Sequence, residues 1–282
     1  MFDSICKIGN SLIHHGQNSN RIYLMSLDVN DLPCITKELD ELAAQKGYTK
    51  IIAKVPLCHK DIFETSGYKL EAVIPKFYKG ESDGCFLCKY FDKARNIDIN
   101  AEEHNKIISI ASQKATQAYI KQENESFICR CAEKDVPHMV EVYRNVFKTY
   151  PFPIHDEKYI LKTMSEDVIY FGIWINNKLV ALSSIEVQKN YSNAEMTDFA
   201  VLDEHRGKGY ALYLLDVMEN ELKEIGIKTA YTIARAKSAG MNITFAKFGY
   251  TYAGTLVNNT DISGQIESMN VWYKHMDSTQ NS

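Results

Sequence analysis

Two glycines set among basic residues open the chemistry of this chain. In Glu204-His205-Arg206-Gly207-Lys208-Gly209-Tyr210-Ala211 they stand directly before a series of helix formers. Glycine is costly at such a place unless the backbone must come close to something. The first amides of a helix have no internal partners, and the helix dipole adds partial positive charge at that end. The combination describes an anion site, most often for phosphate. Two carboxylates, Glu195 and Asp198, precede it in the run AEMTDFAVLD. They are three residues apart, so on a regular strand they face opposite sides, and only a bulge brings both to one cleft. Without a bulge, one of them is a solvent-facing strand carboxylate.

Cysteines are the other chemistry-bearing group. Cys85 and Cys88 in GCFLCKY and Cys129 and Cys131 in FICRCAEK offer four thiols to a zinc ion. Both pairs fall in strand-like runs that lack a knuckle turn, so buried free thiols and no metal are expected. The total of seven is odd, and the start MFDSICKIGNSL lacks the charged and apolar sections of a signal peptide. Reduced thiols in a cytoplasm are the simplest reading.

These residues need a scaffold, and 282 residues suggest two smaller domains rather than one large one. Hydrophobic residues make up 45% and charged residues 24%, as in an ordinary soluble globular protein. The net charge of −4 argues against a nucleic-acid or anionic-membrane binder, which needs a basic surface. No apolar run approaches membrane-span length.

The second half reads clearly. A strand in ESFICRCAEK precedes an amphipathic helix opened by Asp135 with Pro137 in its first turn. The proline-fixed loop TYPFPI and the short helix HDEKYILKTMSE follow. VIYFGIWI, Asn176-Asn177 and KLVALSSIEVQ form a hairpin, and AEMTDFAVLD is the next strand. The helix GYALYLLDVMENELKEIG closes at Gly226, and SAGMNITFAKFGY ends at Gly249 after the strand IKTAYTIARA. Strands TYAGTLVNN and IESMNVWYKHM flank the turn TDISG. The fold class is α/β, a mixed sheet with helices on both faces.

In the first half, a helix in NDLPCITKELDELAAQKG, a strand in YTKIIAKVP, a helix in CHKDIFETSGY and strands LEAVIPKFY and GCFLCKYF repeat the closing part of the second. Gly47 and Gly67 correspond to Gly226 and Gly249, a degenerate internal duplication. The first copy lacks the glycine-rich turn, so it is not expected to bind the same ligand; a plain α+β packing domain is the alternative. The polar, helix-prone run INAEEHNKIISIASQKATQAYIKQEN is the connector. We therefore divide the chain into 1–98, 99–125 and 126–277.

Arg206-Gly207-Lys208-Gly209-Tyr210-Ala211, between a strand and a helix, resembles the Arg-x-x-Gly-x-Ala pyrophosphate turn of the GNAT acetyltransferases. The element order from 126 to 277 and the later helix MNITFAKFGY are similar to that fold. TYPFPI, EMTDFA, ARAKSAGMN and NNTDISGQIESMNVWYK, with GYTKIIAKVP and EAVIPKFYKG in the first half, resemble the β-lysine N-acetyltransferases over nearly the whole chain. The resemblance implies a GNAT fold in the second half, a smaller degenerate GNAT-like domain in the first, and acetyl-CoA as cosubstrate. It implies a small-molecule amine substrate, β-lysine, supplied by a lysine aminomutase without implied physical contact. The product would be the compatible solute N-ε-acetyl-β-lysine.

An amine with pKa near 10.4 is unprotonated to only about one part in a thousand at neutral pH, so the implied reaction needs a proton acceptor. The resemblance makes Glu195 the base and Asp198 a catalytic or ammonium-binding carboxylate. Phe199, Ala200 and Val201 would pair with the pantetheine arm and supply an oxyanion-binding amide. Residues Arg206 to Ala211 would hold the pyrophosphate, with Asn242 also on the cofactor. Many GNAT enzymes have a tyrosine four residues before the helix-ending glycine; here it is Phe245, which has no proton to give. Tyr210 or Tyr250 would stand in, or the thiolate leaves unassisted. Arg235 is expected to grip the substrate carboxylate in two-pronged fashion, a surface salt bridge being the alternative. Tyr150, Phe152, Asn258, Asn259 and Glu267 are pocket-wall candidates, core packing being the alternative for the aromatics. His205 is expected to be a loop residue. Cys129 and Cys131 lie away from the thioester in the family fold, so direct transfer in a ternary complex is expected. The rival readings are acetylation of another amine, polyamine or protein lysine, and a non-catalytic acetyl-CoA-binding regulator, which Phe245 and the motif-free first half favour.

Overall fold

The computed structural model describes residues 3–115 and 128–276. The end of the connector, 116–125, and the flanking positions 126, 127 and 277 of the expected second domain lie outside the described residues.

The first half runs β1 (Ser4–Ile8), β2 (Ser11–Gly16), β3 (Arg21–Ser26), α1 (Ile35–Lys46), β4 (Lys50–Pro56), α2 (Lys60–Thr65), β5 (Lys69–Tyr78), β6 (Ser82–Tyr90) and α3 (Ala101–Lys114). The second runs β7 (Ile128–Arg130), α4 (Val136–Val146), α5 (Glu157–Ser165), β8 (Val168–Ile175), β9 (Lys178–Gln188), β10 (Asn193–Val201), α6 (Tyr210–Glu224), β11 (Thr229–Arg235), α7 (Ala239–Lys247), β12 (Thr251–Ile262) and β13 (Gln265–His275). The expected order of the second half is the observed one. Among the described residues no helix is long and apolar enough to cross a membrane.

The structure adds β1 to β3, which the sequence reading left out: these strands are short, and β1 is almost wholly exposed, so no apolar alternation marks it. Helix α1 starts at Ile35 rather than at residue 30, because Pro33 restricts the residue before it. The last hairpin turns at Ser263-Gly264, both with positive φ, and β12 runs through TDI to that point.

All strands join one sheet in the order β1-β2-β3-β4-β6-β5-β12-β13-β11-β10-β9-β8-β7. Outward from β5 and β12 the two sides follow the same order, with β7 as an extra strand at one edge. β3, α1, β4, α2, β5 and β6 repeat β10, α6, β11, α7, β12 and β13, with a parallel pair β3–β4 matching β10–β11. The duplication thus extends to the hairpins on the far side of each parallel pair. The copies diverge where the anion turn stands. Before α1 the chain reads Asp31-Leu32-Pro33-Cys34, and the Asp31 carboxylate accepts from the amides of Asn10 and Ser11.

The two copies meet where β5 and β12 touch at Ala72 and Gly254. Gly254 has φ +151, and a Cβ there would lie 1.9 Å from the Glu71 carbonyl oxygen. Beyond it β12 bulges against β13, between Leu256 and Thr260. Three carbonyls released by that bulge are capped by buried or half-buried cations of the first half. Lys50 reaches Val257 O at 2.7 Å, Arg95 reaches Asn258 O at 2.6 Å, and Arg21 reaches Asn259 O at 3.1 Å.

The sheet curls about this seam. Lys54 of β4 donates to the Tyr231 hydroxyl of β11 at 3.1 Å. Five strand spacings separate β4 from β11, about 24 Å if the sheet were flat. The concave face between them holds an apolar core that includes Tyr23, Ile52, Phe77, Tyr231, Leu256 and Val271. A separate core packs α1 and α2 on the first half, and a larger one packs α4, α5, α6 and α7 on the second.

Cys85 and Cys88 belong to cores on opposite faces of β6, so they do not share a ligand. Cys131 is buried, but Cys129 is exposed, as are Cys6, Cys34 and Cys58, which corrects the expectation of buried thiols. Among the described residues no group of His, Cys, Asp or Glu is placed to hold a metal ion.

Replacing Gly254 by Ala drives a methyl group into the Glu71 carbonyl at a φ that L residues avoid. We expect a loss of more than about 2 kcal/mol, seen as a lowered melting temperature. Gly240→Ala, where a Cβ meets nothing within 4 Å, should melt close to the wild type.

Candidate active site

The site begins with a strand that loses one neighbour. β10 pairs with β11 only at Asn193, Ala194 and Glu195, although it continues to Val201. On its other side β10 follows β9, with a register shift between Thr197 and Ala200. Asp198 sits in that shift with φ +56. A bulge therefore stands between Glu195 and Asp198; of the two, Asp198 lines the cavity that opens here and Glu195 is not in its wall.

The gap between β10 and β11 opens into a cavity of about 560 Å³. Its walls include Thr197, Asp198, Phe199 and Val201 of β10, Thr232 to Arg235 of β11, and Arg206, Gly207, Gly209, Tyr210 and Ala211 at the mouth of α6. Ala200 is buried on the opposite side of the strand, so only its backbone faces the gap. Gly209 caps α6 with φ +79, and Gly207 has φ +77. Added Cβ atoms would meet no protein atom closer than 4.0 Å, so it is the backbone turn that demands glycine. The side chains of Arg206 and Lys208 are exposed, and His205 stacks on Tyr210. Free helix-end amides, two cations, and a strand edge without a partner fit a long arm ending in a diphosphate.

Asn242 is placed otherwise. Its Nδ2 donates to Arg235 O and Ser238 O, and its Oδ1 accepts from Asn270 and Trp272. Fully buried and outside the cavity wall, it ties α7 to the sheet rather than facing a ligand.

Asp198 is buried and accepts from Tyr150, from Ser184 Oγ at 2.6 Å and from Thr197 Oγ1 at 3.3 Å. Ser184 therefore faces the Tyr150 side of the sheet, while Ser183 next to it reaches Met218 of α6 on the other. Burial raises the Asp198 carboxyl above its ordinary range, against these three hydrogen bonds. Glu195 is half-buried and also raised by burial, with the Lys54 charge and a hydrogen bond from Tyr231 opposing. Directly across the β9–β10 ladder from Glu195 stands Glu186, raised by burial and then by the charges of Glu195 and Asp198.

Sequence reasoning missed Glu186, Ser184, Tyr231 and Lys54. A signal existed for two of them: a lone charge inside an apolar run, as in SSIEVQ and IIAKVP, is a charge that the fold must bury.

Among the expected substrate residues, Tyr150 and Arg235 line the cavity. Arg235 grips Glu267 with both prongs at 2.8 Å, and Lys237 and Gln265 join them. Burial would raise Glu267, but these partners hold it below the ordinary range. The two candidates thus bind each other. Phe152 packs on His14 of β2, ring centroids 4.5 Å apart. Asn258 donates to Arg95 O and Ile97 O, and Asn259 is buried beside it, so both lie in the seam between the copies. Phe245 lines the cavity edge-on to Phe199, and Tyr210 lines it too; Tyr250 is buried against Phe245 and outside the cavity wall.

Gly209→Val forces a β-branched residue into the left-handed region at the helix cap. Acetyl-CoA affinity, measured by calorimetry, should fall at least about tenfold with the fold retained. Unchanged affinity would remove the phosphate reading.

The acetyltransferase (GNAT) family model matches residues 138–250. The chain is 40% identical over 96% of its length to the Beta-lysine N(6)-acetyltransferase of Methanococcus maripaludis, covering 98% of that protein. It is 34% identical over 84% of its length to the protein of the same name from Methanosarcina mazei, covering 95% of it. The N-acetyltransferase YodP of Bacillus subtilis is 30% identical over 94% of the chain and 96% of its own length. With these relatives matched along both copies, and with a glycine turn at a helix mouth beside a splayed strand, the chain belongs to the β-lysine N-acetyltransferase family of GNAT enzymes and is an acetyl-CoA-dependent amine N-acetyltransferase.

Proposed function

We propose that the enzyme acetylates the ε-amine of β-lysine by direct transfer in a ternary complex. The observation that carries this reading is the 40% identity to a protein named for that reaction, extending over both halves of the chain. Acetyl-CoA supplies the activated acetyl group. The amides and cations of residues 206–211 would hold its diphosphate, and the free edge of β10 at Phe199 to Val201 its arm. Glu195, raised by burial, would take the proton of the ammonium through water. Asp198, fixed by Tyr150, Ser184 and Thr197, would orient the amine beside it. No cysteine lines the cavity among the described residues, which supports transfer without a thiol intermediate. Tyr210 is the hydroxyl proposed to meet the leaving thiolate, since Phe245 has none to offer.

In this reading residues 126–277 carry the transfer site, 1–98 close it from the side of β4, and 99–125 connect the two. The product, N-ε-acetyl-β-lysine, would serve in the cytoplasm as a compatible solute, downstream of a lysine aminomutase.

Thiol release with β-lysine, α-lysine, ornithine and spermidine tests the substrate. We expect a clear preference for β-lysine; equal efficiency on both lysines, or on spermidine, would leave only a general amine acetyltransferase. No thiol release with any amine would favour a regulator. Glu195→Gln should lower kcat/KM by about 10²–10⁴ near neutral pH, with the deficit shrinking at high pH where free amine abounds. In the wild type the rate should fall as pH drops through the raised Glu195 value, since the protonated carboxyl accepts nothing. Wild-type rates across the pH range in that variant would clear Glu195 of the role.

A further inference from the structure

The buried charges beside the transfer cavity attract one another without touching: Lys54 is near enough to Glu186 and Glu195 to favour their ionised forms, and its Nζ lies over the rings of Tyr23 and Tyr231. Lys54 is 4% exposed, and Tyr231 is the hydrogen-bond partner of its Nζ. An ammonium has three donors, and no carboxylate of the described residues forms an ion pair with this one. Glu186 takes no hydrogen bond from any described residue and stands opposite Glu195, a like charge. A buried cation and a buried carboxylate left apart are costly unless something bridges them. What bridges them must carry both signs of charge.

Spacing says how. Ser184, which holds Asp198, and Glu186 lie on one face of β9, two residues and about 7 Å apart. Gln188, the next residue on that face, lines a second cavity of about 240 Å³ whose wall includes Lys54, Tyr78 and Tyr191. Ser184, Glu186 and Gln188 thus share one face of β9, with Ser184 holding Asp198 of the transfer cavity wall at one end and Gln188 beside the cavity at Lys54 at the other. In β-lysine the two nitrogens are five bonds apart, about 6 Å when extended, and the carboxylate follows two carbons beyond the inner amine's carbon. Arg235, the other candidate for that carboxylate, is held by Glu267.

We propose that Lys54, from the first half of the chain, binds the substrate carboxylate and that Glu186 binds the ammonium on its β-carbon, with the reacting amine at Asp198 and Glu195. This rests on the β-lysine reading above and adds to it a function for the first copy: it has lost the phosphate turn and supplies a substrate-binding cation to the other copy. Lys54 and Glu186 sit on different strands, β4 and β9, so they suit a head whose charges are one methylene apart rather than on one carbon.

The test uses the full chain with β-lysine and with 1,4-diaminobutane, which keeps both amines at the same separation and lacks the carboxylate. Each is assayed as substrate and as competitor. Lys54→Met is near-isosteric and removes a buried charge. It should raise the KM (or inhibition constant) for β-lysine about ten- to hundredfold relative to that for 1,4-diaminobutane. Lys54→Gln, which retains a donor to Tyr231, gives the same comparison should the Met variant not fold; acetyl-CoA affinity reports that the cofactor site survives. Glu186→Gln should weaken both amines, since both carry the second ammonium. A Lys54 variant that binds acetyl-CoA and keeps the wild-type ratio overturns the proposal while β-lysine turnover by the wild type stands. A wild type that acetylates 1,4-diaminobutane and not β-lysine overturns both. A Glu186→Gln effect on β-lysine alone overturns the ammonium assignment.

Discussion

The strand β10 stops pairing with β11 after Glu195, and the cavity of the candidate site depends on that break. A strand that runs on without a neighbour leaves donors and acceptors that must find partners. Here they face a cavity, so a ligand arm with amide groups is the natural complement. The bulge at Asp198 belongs to the same event. It turns the side chain of Asp198 into the space that the lost ladder opens, at a φ that a non-glycine residue seldom adopts. Three hydrogen bonds to the carboxylate help to hold that conformation. The glycine turn, the strand edge and the Asp198 carboxylate thereby share the wall of one cavity.

The second constraint is the curl of the sheet. A strand order repeated outward from β5 and β12 brings two copies of one topology edge to edge, and the narrow contact at Gly254 lets them turn toward each other. The β12 bulge then presents carbonyls that Lys50, Arg95 and Arg21 cap from the first copy. One carboxylate joins them: Glu71 lies 3.7 Å from the Lys50 ammonium and accepts from the Val257 amide, so charge and backbone are both met in the seam. The copies have diverged in charge as well: where one has Arg206 and Lys208 around glycines, the other has the Asp31 carboxylate bound to its own hairpin. An acid at that helix mouth disfavours an anion there, whereas the cations of the counterpart favour one.

Electrostatics separates two kinds of acid in this molecule. Glu267 is surrounded by Arg235, Lys237 and Gln265 and stays ionised, a structural joint beside the cavity. Glu186, Glu195 and Asp198 lie where burial outweighs their partners, and all three bind protons more tightly than exposed carboxyls. Such groups suit proton exchange with an amine near neutrality. The cation nearest to them comes from the other copy, so the acidity of the site and the association of the copies are linked.

The sequence by itself determined whatever depends on neighbours along the chain. Helix and strand order from Ile128 to His275, the glycine caps, the glycine turn and the need for a bulge between Glu195 and Asp198 follow from local spacing and backbone preference. The repeat was visible from matched helix ends, although β1 to β3 escaped because all three are short and the exposed β1 lacks an apolar rhythm. Only the tertiary structure decided which charges meet. Arg235 and Glu267, read separately as substrate ligands, are joined because β11 and β13 are adjacent. Asn242 faces inward because α7 lies over the sheet, and Asn258 and Asn259 serve the seam. Lys54 and Tyr231 lie 177 positions apart and touch because the sheet closes on itself. Curvature is a sum over many strands, and no local pattern of residues encodes where that sum brings two side chains together.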